Sequence, residues 1–62
     1  MKKIIILDFE TGETIIAGFD TNMYKEDDIT EFFDALNDVH DLALSESNCQ
    51  WMIVKELNLK ML

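Results

Sequence analysis

The chain contains one histidine and one cysteine, His40 and Cys49, the two side chains best suited to acid–base or nucleophilic chemistry. A catalytic base needs a reacting group within about 3 Å and a further group that orients it. The sequence suggests neither for His40, and it has no glycine-rich phosphate loop and no basic cluster for phosphoryl transfer. We therefore expect a partly buried structural histidine, a packed cysteine and no catalytic activity.

One segment has oxygen-bearing side chains at the ligand spacing of a calcium-binding loop. These residues are Asp20, Asn22, Tyr24, Glu26, Asp28 and Glu31. The motif requires glycine at its sixth position, where this chain has Lys25, and Tyr24 is a poor ligand. A structural zinc site is also excluded, because one cysteine and one histidine cannot supply four soft ligands. We expect no metal site and no cofactor.

Acidic residues form the most regular chemical pattern. The chain has 13 acids, five lysines and a net charge of −8. Five acids, spaced by four and three positions, fall on one stripe of a helix: Asp27, Glu31, Asp34, Asp38 and Asp41. Like charges at this spacing repel one another, and no lysine lies between Glu26 and Cys49. The acidic stripe is therefore either a purely solvating surface or a site for a partner protein with a basic surface.

The negative charge limits the classes of partner. It argues against direct binding to nucleic acid or to anionic membranes. A row of carboxylates can instead imitate a DNA backbone, so the alternative function is an inhibitor that occupies a basic nucleic-acid-binding site. The apolar run that begins at Ile4 ends before Asp8, which is too short for a signal peptide or a membrane span. We expect a cytoplasmic location.

The elements that position these residues form one domain over 1–62. A hairpin is predicted over about 3–19, a helix over 28–44 and a third strand over 50–57, followed by a frayed tail over 58–62. Gly12 suits a three-residue hairpin loop, which would place Leu7 opposite Ile15. Asp28 and Glu31 have the spacing of a capping box. The predicted fold is a two-layer α+β domain of order ββαβ, with an antiparallel sheet of strand order 2-1-3 and one helix on one face.

This arrangement leaves one face of the sheet without a covering element. The side chains expected on that face are Ile4, Ile6, Ile16, Met52 and Val54. A small monomer rarely exposes such a contiguous apolar patch unless the patch binds something. We therefore expect an interface there, either with a partner protein or with a second copy in a structural homodimer. The alternative is that the C-terminal tail folds over the patch.

Overall fold

The computed structural model describes all residues, 1–62, and contains three strands and one α-helix. The elements are β1 (Lys2–Asp8), β2 (Thr14–Phe19), α1 (Thr30–His40), a short 3-10 helix (Glu46–Asn48) and β3 (Cys49–Val54). β1 is the central strand and pairs antiparallel with both neighbours, in the order β2-β1-β3. The predicted ββαβ fold is therefore confirmed. No helix is both long and apolar enough to cross a membrane.

The hairpin register differs from the prediction by one residue. Leu7 pairs with Thr14, not with Ile15, and the loop has four residues instead of three. The backbone N–H of Asp8 donates to the carbonyl of Glu13 at 2.9 Å, which closes the loop. The Asp8 carboxylate also accepts the backbone N–H of Glu10 at 2.9 Å. This bond to the backbone two residues on is an Asx turn, and it favours the longer loop.

The loop still uses Gly12 in the left-handed conformation, at φ 77°. The backbone N–H of Gly12 donates to the carbonyl of Asp8 at 2.8 Å. A residue with a Cβ is strained in this conformation, so glycine is the natural choice at this position. The prediction therefore identified the turn glycine but placed it in a loop one residue too short.

The change of register exchanges the two faces of β1, because successive side chains of a strand point in opposite directions. Ile4 and Ile6 are fully buried under α1, so their prediction as open-face residues is wrong. Ile5 and Leu7 lie on the open face instead. By the strand pairings, Ile16, Met52 and Val54 lie on the open face, as predicted. Ile5 joins them there.

The core lies between the sheet and α1. Phe19 is fully buried, and its ring centroid lies 4.9 Å from that of Phe32 on the helix. Tyr24, in the loop before the helix, packs edge-on against Phe32 at 5.2 Å. Phe33 makes a similar edge contact with Trp51 of β3, also at 5.2 Å. Aromatic pairs in these tilted and edge geometries hold the helix on the sheet.

The helix is shorter than predicted at both ends. Its N-cap is Ile29, no side chain bonds the cap, and the predicted capping box of Asp28 and Glu31 is therefore not formed. At the other end Asp41 adopts the left-handed conformation, and the Leu42 backbone N–H bonds the carbonyl of Asn37 at 3.1 Å. Such a bond to the carbonyl five residues back is typical of a helix C-terminus.

Asn37 also fixes the direction of the chain after the helix. Its side-chain oxygen accepts the backbone N–H of Leu44 at 2.8 Å, and its side-chain nitrogen donates to the Leu44 carbonyl at 3.0 Å. Leu44 is thereby held in the core, whereas Val39 remains 73% exposed. Ala43 lies beyond the helix, which ends at His40, and both Val39 and Ala43 are exposed.

Candidate interaction surfaces

The face of the sheet opposite α1 is not covered by any other helix or strand, and we call it the open sheet face. By the strand pairings it carries Lys3, Ile5, Leu7, Thr14, Ile16, Gly18, Gln50, Met52 and Val54. Ile16, Ile5 and Met52 are direct cross-strand neighbours and form an apolar row across all three strands. Ile5 at the centre of the row is only 9% exposed, whereas Leu7 and Ile16 are each 43% exposed and Met52 is 57% exposed.

The charge of the open sheet face differs from that of the whole chain. Lys3 is its one charged residue, and it carries no acid. The one carboxylate of β1, Asp8, points to the other side, where it is 8% exposed. This apolar and nearly neutral surface lies on a protein of net charge −8. The combination is typical of a surface that contacts another macromolecule.

The first residue of the chain lies against one edge of this face. The Met1 side chain lies against Gly18, where an added Cβ would come within 2.8 Å of the Met1 sulfur. Residues 55–62 form no helix or strand. Leu59, Met61 and Leu62 in that tail are all exposed, so the tail does not bury them against the sheet. Leu57 at the start of the tail is half-buried, so the alternative in which the tail covers this face stays a prediction.

The acidic stripe is shorter than predicted. Only three of its members, Glu31, Asp34 and Asp38, belong to α1. Asp27 precedes the helix in a turn, and Asp41 follows it in the left-handed conformation, so the regular helical spacing does not extend to either. All five side chains are exposed.

No salt bridge joins a residue of the stripe to a basic side chain. The single salt bridge of the protein joins the Lys2 amine to the Glu26 carboxylate at 2.8 Å, and Glu26 is not a stripe residue. Neighbouring carboxylates on α1 lie about 5–6 Å apart between their Cβ atoms, as helix positions three and four apart do. The outward surface of α1 is therefore a short row of unneutralised negative charge.

His40 and Cys49 occupy different environments. His40 is exposed at the last position of α1, so the expectation that it is partly buried is wrong. Cys49 is packed in the core as expected, next to Asp8 in the sheet pairing. Burial raises the pKa of the Cys49 thiol, the negative charges of Asp8 and Glu10 add to the rise, and a hydrogen bond with the Ser45 backbone opposes it. The thiol is therefore protonated at neutral pH and a poor nucleophile.

The candidate calcium-loop residues have other structural roles. The Asp20 carboxylate accepts the backbone N–H of Asn22 at 2.9 Å, which again forms an Asx turn. Tyr24 packs in the aromatic core, and Glu26 pairs with Lys2. No group of three or more histidine, cysteine, aspartate or glutamate side chains is placed to hold a metal ion.

The most enclosed cavity lies between the hairpin loop and the segment after the helix. Its volume is about 150 Å³, and its wall includes Asp8, Glu10, Glu13, Ile15 and Leu44. Pockets for small molecules usually measure about 300–1,000 Å³. A second depression of about 300 Å³, beside Trp51, is wide open to solvent. Neither has the size and enclosure that a small-molecule site requires.

Sequence reasoning missed two residues that shape these surfaces. In the predicted register Asp8 would lie on the same face as Ile4 and Ile6, without a covering element, and its burial follows from the observed register. Asn37 was assigned no role, although its bonds to Leu44 set where the chain leaves the helix. An aspartate two positions before a residue whose backbone N–H can donate to its carboxylate in a turn is a local signal that could have identified Asp8. The partner of Asn37 lies seven residues away and gives no such signal.

Comparison with protein-family models, with curated proteins and with solved structures finds no match to this chain.

Proposed function

We propose that this protein is a non-catalytic protein-interaction module that binds through its open sheet face. The observation that carries the proposal is the apolar row of Ile16, Ile5 and Met52, which lies across a face that no other element covers. Antiparallel sheets that face water usually alternate apolar and polar residues, with the polar ones outward. When another protein removes a surface of this kind from water, the burial of its apolar side chains stabilises the complex, and no acid has to be buried with them.

The test of this proposal compares protein capture by three tagged proteins: the native chain, Ile16→Asp and Val39→Asp. Val39 is 73% exposed on the helix, so Val39→Asp adds the same charge outside the open sheet face. Each is incubated with a native lysate that also contains an untagged copy of the chain. We expect the native chain and Val39→Asp to retain the same bound protein, and Ile16→Asp to lose it. Equal capture by all three, or no capture by any, would contradict the proposal.

A second candidate function rests on the acidic stripe: inhibition of a nucleic-acid-binding protein by imitation of the phosphate backbone. It is supported by the exposure of Glu31, Asp34 and Asp38 and by the absence of a salt bridge to any of them. Binding of this kind falls steeply as salt rises, because exposed charges are screened. The double change Asp34→Lys and Asp38→Lys should abolish it, whereas Ile16→Asp should leave it unchanged. The measurement is how much labelled DNA this chain displaces from the nucleic-acid-binding protein that it captures, at low and at high salt.

A further inference from the structure

We propose that the outer edge of β3 binds an extended segment of another protein as a fourth, antiparallel strand, and that an arginine of this segment enters the depression beside Trp51. β3 is an edge strand, because β1 pairs with it on one side and no element pairs with it on the other. The backbone groups on the free side of an edge strand are a template for another chain. This edge is a different surface from the open sheet face.

Alternate residues of β3 direct their backbone groups away from β1. The Phe9 backbone N–H donates to the Asn48 carbonyl at 2.9 Å, which makes this pair, next to the end of the strand, a hydrogen-bonded one. Hydrogen-bonded pairs alternate with non-bonded pairs along an antiparallel ladder. The residues of β3 that are bonded to β1 are therefore Gln50, Met52 and Val54. The residues whose backbone groups point outward are Cys49, Trp51 and Ile53.

No other part of the chain satisfies these outward groups. None of the nine backbone hydrogen bonds outside the helices and strands involves them, and residues 55–62 make no backbone hydrogen bond. Natural edge strands are usually protected by a charged residue, a proline or a bulge. β3 has the sequence CQWMIV, with no charged residue and no proline, and its pairing with β1 is uninterrupted. The edge is therefore open to an added strand.

The outer edge of β2 is the less suitable of the two free edges. The bond from the Asp8 N–H to the Glu13 carbonyl sets the alternation there in the same way. The outward groups of β2 then belong to Thr14, Ile16 and Gly18. Gly18 has no side chain to pack against an added strand, and the side chain of Met1 already lies against it. β3 instead has a tryptophan in the middle of its edge.

The position of Trp51 determines where a partner side chain would lie. Trp51 is on the helix side of the sheet, where it packs against Phe33, and it is 37% exposed. In an antiparallel pair, the residue opposite Trp51 exchanges two hydrogen bonds with it and points to the same side of the sheet. That residue therefore directs its side chain into the depression of about 300 Å³ whose wall includes Glu46, Cys49 and Trp51.

The depression favours a basic side chain. Glu46 is the one charged residue in its wall. The Thr30 hydroxyl donates to one oxygen of the Glu46 carboxylate at 2.8 Å, and the other oxygen accepts no bond within the protein. A guanidinium can pair with this carboxylate and also stack on the indole ring of Trp51, as arginine does on aromatic faces. The net charge of −8 attracts the same kind of partner at longer range.

The probe for this site is a six-residue peptide, blocked at both ends, in which arginine and valine alternate. With an arginine opposite Trp51, the valines fall on the open side of the sheet beside Met52. Amide hydrogen exchange is measured by NMR on the full native chain. The outward amides of Trp51 and Ile53 should exchange faster than the inward amides of Met52 and Val54. Peptide that occupies about 90% of the chain should slow the outward pair by about 10-fold, because only the free tenth still exchanges.

Methylation of the peptide backbone tests the pairing itself. In the antiparallel register the arginine N–H groups face β3 and the valine N–H groups face solvent. Methylation of the arginine nitrogens should weaken binding by at least about 10-fold, because it removes three hydrogen bonds. The same methylation of the valine nitrogens is the matched control and should change binding by less than about 2-fold. Equal effects of the two, or the reverse order, would overturn the proposal.

Two variants with the same change of charge test the depression. Glu46→Gln keeps an acceptor for Thr30 and should weaken binding of the peptide by roughly 2- to 10-fold at low salt. Asp38→Asn, on the exposed side of α1, should have a smaller effect, because it alters only the long-range attraction. If both variants weaken binding equally, no arginine occupies the depression and the proposal is wrong.

Other occupants would give different exchange patterns. Protection of Ile16 and Gly18 by the peptide would assign it to the edge of β2. Protection of Trp51 and Ile53 in the free chain, rising with its concentration, would assign the edge of β3 to a second copy. Either result, or a peptide that does not bind at millimolar concentration, would overturn the proposal.

The outcome is separable from that of the proposed function. Ile16→Asp, which should abolish capture through the open sheet face, lies on β2 and should leave binding of the peptide at β3 nearly unchanged. If the native chain captures a protein through Ile16 but does not bind the peptide, the proposed function stands and only this inference fails.

Discussion

Replacing Asn37 by alanine should remove a large part of the stability of this domain. Asn37 makes two hydrogen bonds to the backbone of Leu44, and Leu44 is buried. Without the Asn37 side chain, the backbone N–H and carbonyl of Leu44 would lose their partners inside the fold, which costs about 1–3 kcal/mol for each group. Alanine is a better helix former than asparagine and returns about 0.6 kcal/mol. Because both hydrogen bonds are only part-buried, the lower half of this range applies, about 2–4 kcal/mol for the two groups together, and the expected net loss is about 1.5–3.5 kcal/mol.

This loss is large relative to the total. At about 0.05–0.15 kcal/mol per residue, a chain of 62 residues has an unfolding free energy of roughly 3–9 kcal/mol. Urea unfolding followed by the fluorescence of Trp51 is a suitable assay, because this is the only tryptophan and it packs against Phe33 in the core. With an m-value near 1 kcal/mol per molar urea, the midpoint should fall by about 1.5–3.5 M.

Asp38→Ala is the matched control for this experiment. Asp38 lies on the same helix and is exposed, and no hydrogen bond to its side chain is present. This change gains similar helix propensity and loses no bond, so its midpoint should equal or exceed that of the native chain. If Asn37→Ala unfolds at the same urea concentration as Asp38→Ala, then Asn37 does not hold the segment after the helix, and the explanation of the helix end is wrong.

Three further predictions concern the turn, the helix charges and the thiol. Gly12→Ala should destabilise the fold by about 1–2 kcal/mol because its φ of 77° is left-handed, whereas Gly18→Ala should be nearly neutral in the same urea assay because it displaces only the exposed end of Met1. Asp34→Lys should stabilise the fold by about 0.4–1 kcal/mol at low salt, and by less at high salt. The reason is that it converts two repulsive helix pairs, with Glu31 and Asp38, into attractive ones. An equal gain from Asp27→Lys, which lies outside the helix, would contradict this reason. Burial raises the pKa of the Cys49 thiol in the folded state. The contribution of this thiol to the free energy of unfolding should therefore be constant at neutral pH and should be lost as the pH rises past the ordinary thiol pKa. Urea unfolding at neutral and alkaline pH should show this decline for the native chain and a smaller one for Cys49→Ala.

The order of elements could be predicted from the sequence because local composition carries it. β-branched and aromatic residues mark the strands, and the spacing of Phe32, Phe33 and Leu36 marks the buried side of the helix. The register could not be predicted in the same way. The run Ile4–Leu7 contains only large apolar residues, so either face of β1 could be buried on the evidence of hydrophobicity alone.

The end of the helix was unpredictable for a different reason. The apolar pattern continues through Val39 and Ala43, so periodicity extends the helix past its actual end at His40. Asn37 competes with this pattern through two bonds to a residue seven positions on. Ala43 lies beyond the helix as a result, and no property of this residue by itself indicates it.

The one-residue shift of the hairpin also determines the chemistry of the candidate interface. In the predicted register, Asp8 would share the open face with Ile4 and Ile6, and a partner would have to cover a carboxylate. In the structure the Asx turn holds Asp8 on the helix side, where Glu10 donates its backbone N–H. The open sheet face is thereby left with one lysine and no acid. Since an unpaired buried charge costs far more than an apolar contact gains, this single turn allows the face to be covered at all.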